Sequence, residues 1–93
     1  MENEHIINLT FHHSKGPIFI INISPNATFK TAVKRFCDKV QLPFSDLTKN
    51  KNKIIFLYQA AMLDIEDSRT LAQIGLYNGH SILVNDITNI IGA

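Results

Sequence analysis

Thr28-Phe29-Lys30-Thr31-Ala32-Val33-Lys34-Arg35-Phe36-Cys37-Asp38-Lys39-Val40 is the stretch on which the fold turns. Its apolar residues, Phe29, Ala32, Val33, Phe36, Cys37 and Val40, recur at the spacing of one helix face. Lys30, Lys34, Arg35, Asp38 and Lys39 occupy the rest of the cylinder. Thr28 stands at the N-cap, where a hydroxyl accepts from an otherwise orphaned backbone amide. Leu42-Pro43 closes the helix, because a residue before proline is pushed out of the α region. The pattern predicts a single amphipathic helix of roughly three to four turns that must bury one stripe against another layer.

Upstream, Ile7, Leu9 and Phe11 alternate with Asn8, Thr10 and His12, the period of a strand with one buried face. His13-Ser14-Lys15-Gly16, then Pro17, supply turn residues, and Ile18 to Ile23 follows with Phe19, Ile21 and Ile23 on one face and Ile18, Ile20 and Asn22 on the other. This reads as a hairpin. Downstream, Phe44 to Lys53 is polar and aperiodic and is expected to be a flexible loop. Ile54 to Tyr58 is β-branched and aromatic, a strand by composition and length. Met62-Leu63 suits a brief extended return, Asp64 to Ser68 an acidic loop, and the stretch from Arg69 to Leu76 one short helical turn with Gly75 near its end. Ser81 to Val84 makes a last strand.

The order of hairpin, helix and further strands is that of an α+β, β-grasp fold, and particular residues add to it. Ser24-Pro25-Asn26-Ala27-Thr28-Phe29, Leu42-Pro43, Leu57 to Leu63, Arg69-Thr70-Leu71 with Ile74-Gly75-Leu76, and Gly79-His80-Ser81-Ile82 together resemble ubiquitin-like domains. The resemblance runs without gaps from Ile7 to Pro43 and covers almost the whole chain. It implies a mixed sheet of four to five strands packed on one main helix, with a ubiquitin-like domain over 6–86 and a C-terminal tail over 87–93. Compared with ubiquitin, the Phe44 to Lys53 segment is several residues longer and two extra residues precede Arg69. Such insertions cost little, since loop-closure entropy grows only logarithmically.

The chain has 93 residues, a formal net charge of +1 and one cysteine. That length argues for one domain with one core. The longest nearly apolar run, Ile54 to Leu63, is too short for a membrane span, which needs about 20 residues. Met1-Glu2-Asn3-Glu4-His5 lacks the basic-then-apolar order of a secretory signal, so an intracellular location is expected. Near-neutral charge argues against nucleic acid as a partner. A lone cysteine forms no internal disulfide, and Cys37 sits on the apolar stripe, where a thiol behaves as a small hydrophobe. His12 and His13 are read as a solvated turn whose adjacent side chains diverge. Asp64, Glu66 and Asp67 lack calcium-loop spacing. No catalytic residue, metal or cofactor is expected.

The resemblance also implies where partners would bind. Ubiquitin and many relatives use an apolar sheet patch built from a leucine in the first turn, an isoleucine on the third strand and a valine on the last. The matching positions here are Ser14, Leu57 and Asn85. With two of three anchors polar, ordinary ubiquitin receptors should bind poorly, because a few buried anchors carry most binding energy. Leu83, Ile18 and Ile20 nonetheless leave the outer sheet apolar, a candidate surface for another protein partner. Lys49, Lys51 and Lys53 form a basic candidate surface, and α-helical Lys30, Lys34, Arg35 and Lys39 a second. Modifiers of the family end in Gly-Gly, whereas this sequence ends Ile91-Gly92-Ala93, so Gly92 would be the conjugation point after removal of Ala93. The expectation is a monomeric, non-catalytic docking domain, free-standing or the N-terminal domain of a larger protein, with a Gly92-linked modifier as the alternative.

Overall fold

The computed structural model describes residues 6–49 and 53–87. The elements are β1 (Ile7–His13), β2 (Ile18–Ile23), α1 (Phe29–Val40), α2 (Phe44–Lys49), β3 (Ile54–Tyr58), β4 (Ala61–Leu63), α3 (Leu71–Ile74) and β5 (Ser81–Asp86). They build one mixed five-stranded sheet ordered β2-β1-β5-β3-β4. β1 pairs antiparallel with β2 and parallel with β5, and β3 pairs antiparallel with both β5 and β4. The parallel pairing at the centre requires a long crossover, which α1 and the elements after it supply.

α1 starts where the sequence predicts. Thr28 is extended, and its hydroxyl accepts from the Thr31 amide at 3.4 Å. The helix ends one residue before Leu42-Pro43, with Gln41 in the left-handed region and the Leu42 amide donating to the Cys37 carbonyl at 3.0 Å. Those bonds satisfy carbonyls that would otherwise be orphaned at the helix end.

The stripe of α1 lies across the sheet. Phe36 stacks on Phe11 of β1 with centroids 4.6 Å apart and meets Phe56 of β3 edge-on at 6.0 Å; Phe29 meets Phe56 edge-on at 5.5 Å. Offset and edge-to-face contacts of this kind add about 0.5–1.5 kcal/mol per pair beyond area burial. Ile7, Leu9, Ile21, Ile23, Ile82 and Val84 complete the buried sheet face. Cys37 is buried within this core, and burial, helped by the neighbouring Asp38 charge, pushes its thiol pKa up to about 11.

One element departs from the sequence reading. The expected flexible loop begins as α2, because Leu47 is fully buried and its amide, with that of Asp46, donates to the Pro43 carbonyl. Anchoring one leucine is enough to turn a polar stretch into a helical one when tertiary packing supplies the energy. α3 is fastened at its N-terminus. Thr70 and Gln73 form a reciprocal capping box, and the Leu71 and Ala72 amides donate to the Ala27 and Pro25 carbonyls.

Candidate functional site: the outer face of the sheet

Strand alternation puts one set of side chains under α1 and the other on the opposite face. Registers place the second set in order. Ile18 pairs with His12, His12 with Leu83, Leu83 with Leu57, and Leu57 with Met62. These five residues form one row across all five strands, with β5 in the middle. Ile20 and Ile55 extend it on either side.

The row is open among the described residues. Relative exposure is 58% for Ile18, 52% for Ile20, 39% for Leu83 and 69% for Met62. Isolated exposed apolar residues are ordinary, but a contiguous set marks a contact surface. None of the residues that the strands present on this face is Asp, Glu, Lys or Arg. The other polar groups there are amides and hydroxyls, from Asn8, Thr10, Asn22, Ser81 and Asn85.

The structure brings together most of the positions named from the sequence. Leu57 and Leu83 are cross-strand partners, and Asn85 lies opposite Ile55. Ser14 is in the β1–β2 turn, and its amide donates at 2.9 Å to the carbonyl of Val84, the neighbour of Asn85. Lys49 is exposed at the end of α2 and Lys53 immediately before β3; Lys51 lies outside the described residues. The Lys53 carbonyl accepts from the Ile87 amide at 2.8 Å, so this basic segment flanks the point where the chain leaves β5. Gly92 also lies outside the described residues. On α1 three of the four basic side chains have partners: Lys30 is 3.6 Å from Glu66, Lys34 lies 5.3 Å over the Phe44 ring, and Arg35 donates to the Asn22 carbonyl at 2.9 Å.

The histidine pair is a correction. Neither residue belongs to a turn: both are in β1, His12 on the outer face and His13 buried at 2% exposure. His13 continues the Ile7, Leu9, Phe11 phase, and that period was the signal for its burial. Its Nδ1 accepts from the Lys15 amide at 3.1 Å, so Nε2 carries the hydrogen and donates to Asp86 Oδ2 at 3.3 Å. His80 has a comparable arrangement, its Nδ1 accepting from Tyr58 Oη at 2.7 Å and from the Tyr77 amide at 3.2 Å. Each ring accepts through Nδ1 from groups within the fold. Among the described residues no three His, Cys, Asp or Glu side chains gather to hold a metal. No helix there is long and apolar enough to cross a membrane.

Solved structures similar to this fold include ubiquitin-like domains. The ubiquitin-like domain of yeast Ddi1 superposes with TM-score 0.71 at 18% identity, over 91% of this chain and 92% of that one. That of Plasmodium falciparum Dsk2 gives TM-score 0.66 at 20% identity, over 86% and 96%. The ubiquitin of Caldiarchaeum subterraneum gives TM-score 0.66 at 18% identity, over 86% and 91%. No protein-family model matches the chain, and no curated protein matches it by sequence. At these identities the likeness is one of fold: the chain has the ubiquitin-like β-grasp fold, in a divergent sequence.

Proposed function

We propose that the chain is a non-catalytic docking domain that binds a protein partner through the outer face of its sheet. The observation that carries this is the row from Ile18 to Met62, apolar at four of five positions and open across the sheet. Binding energy concentrates in a few desolvated anchors at the centre of a contact. Leu57 and Leu83 hold the centre here, in place of the three-anchor patch that the family resemblance implies. Ser14 and Asn85 cannot serve as apolar anchors, so receptors selective for the ubiquitin patch are expected to bind weakly. The 6–86 unit would act inside the cell, with no bond made or broken.

The test is capture by immobilised chain in three forms: wild type, Leu57→Asp, and Lys49→Glu with Lys53→Glu. Proteins lost with Leu57→Asp but kept with the lysine pair changed support the sheet face. Retention of every partner by Leu57→Asp sinks this reading and moves the contact to the basic segment. The modifier alternative rests on Gly92 in the sequence. It predicts covalent adducts, stable on reducing gels, that vanish with Gly92→Ala.

A further inference from the structure

We propose that Asn78 is a modification site, a side-chain amide that converts to aspartate or isoaspartate through the backbone nitrogen of Gly79, and that two hydrogen bonds to Asn8 hold the reaction back in the folded chain. The site lies outside the apolar row and serves a different chemistry from docking.

The sequence supplies the reactants. Asn78-Gly79 is the one Asn-Gly pair in the chain. An asparagine side chain is of the length that lets the nitrogen of the next residue close a five-membered ring on its amide carbon. Glycine at that next position has no Cβ to shield its nitrogen and lets the backbone reach the ring-closing rotation. The Gly79 nitrogen loses its proton and bonds to Asn78 Cγ, the Cγ–Nδ2 bond breaks, and the amide leaves with a proton as ammonia. Water then opens the succinimide, and both residues are exposed to it. Breaking the new bond to Cγ leaves aspartate; breaking the original peptide bond leaves isoaspartate, whose main chain runs through the side chain and is one carbon longer. Either product carries a carboxylate where the amide was neutral, which lowers the formal net charge from +1 by one.

The fold restrains each reactant. Asn78 Oδ1 accepts from the Asn8 amide at 2.8 Å, and the Gly79 amide donates to the Asn8 carbonyl at 2.8 Å. The first bond fixes the carboxamide against β1, and the second engages the hydrogen that the reaction must remove. Turn geometry adds a third restraint. The His80 amide donates to the Tyr77 carbonyl at 3.1 Å, and Gly79 has φ 86° while Asn78 keeps a negative φ. That is a type II turn, in which the Gly79 nitrogen stands well away from the eclipse with Asn78 Cβ that ring closure needs. Two residues on, the Thr10 amide donates to the His80 carbonyl at 3.0 Å and the β1–β5 ladder begins. Reaction therefore waits for a local opening of the Asn8 clasp, which need not unfold the domain.

The test is incubation of the full chain at mildly alkaline pH, in buffer and in denaturing urea, followed by digestion and mass spectrometry that separates the asparagine, aspartate and isoaspartate forms. In urea, position 78 should convert faster than any other asparagine. In buffer its conversion should be slower by at least about tenfold, because two hydrogen bonds must break first. Hydrogen exchange of the Gly79 amide gives a measurement free of any variant: its protection should match the slowing of conversion within about threefold, since one opening exposes one N–H to both reactions. Asn78→Gln, whose extra methylene enlarges the ring, should abolish conversion at this position. Position 78 unconverted in urea, or outpaced by another asparagine, overturns the site. Equal rates in buffer and urea, or a Gly79 amide that exchanges freely while conversion is slow, overturns the restraint by Asn8.

Discussion

At Cys37 the packing that excludes water also holds the sulfur as a thiol. Its pKa is raised from 9.0 to about 11, chiefly by burial. A folded value above the unfolded one means that this contribution to stability is intact below about pH 9 and is lost as pH rises toward 11. Two units correspond to about 2–3 kcal/mol. Urea unfolding from pH 8 to 11 should therefore show a steeper alkaline loss in wild type than in Cys37→Ala, and equal slopes would refute the burial account. The His13–Asp86 pair offers a second test at this scale. His13→Leu removes a hydrogen-bonded partner from a buried carboxylate and should cost about 3 kcal/mol. His13→Leu with Asp86→Leu should recover part of that, since an apolar pair has no charge to desolvate. A double variant less stable than His13→Leu alone would show that the carboxylate contributes independently of the ring.

Elements succeed or fail by how much local sequence supports them. The β3–β4 turn is a two-residue connection between Tyr58 and Ala61, with Gln59 at φ 52° and Ala60 at φ 67°. Positive φ at both positions is the type I′ geometry that twists with the strands, and it favours glycine or asparagine. A non-glycine residue there costs about 1–2 kcal/mol, so Ala60→Gly should raise stability by about 1 kcal/mol after the entropy of the unfolded chain is counted. Thr70→Ala, which removes the hydroxyl half of the α3 capping box, should lower it by about 1 kcal/mol. Both are read from thermal or urea midpoints. This unevenness explains what could be seen in advance. α1, the first hairpin and β5 carry a full period of apolar residues and were legible. α2 has six residues around one buried leucine, too short for any period, and only the folded context reveals it. His13 and Asp86 were hidden for the opposite reason: their polar identity masked a strand phase that Ile7, Leu9 and Phe11, and Ile82 and Val84, had already set.

The whole molecule divides its surface by chemistry. Among the described residues, exposed charge lies on the helices and loops, and the strand residues of the outer sheet face include none of the four charged types. The near-zero net charge therefore averages two unlike surfaces. Leu57 is named from the family resemblance and Leu83 from the alternation of its strand, whereas Met62 and His12 join the row only through strand order. That division separates the two binding modes by ionic strength. Exposed charges are screened beyond about 10 Å at 0.1 M salt and about 3 Å at 1 M, while burial of neutral apolar groups is not weakened by screening. A partner held by Lys49 and Lys53 should dissociate as sodium chloride rises from about 50 mM to about 500 mM, because attraction between exposed charges falls with screening. A partner held by the Ile18-to-Met62 row should stay bound across that range. Capture repeated at the two salt levels with wild type and Leu57→Asp reads the outcome directly. Salt-resistant capture that depends on Leu57 places the contact on the neutral face, and salt-labile capture indifferent to Leu57 places it on the charged layer.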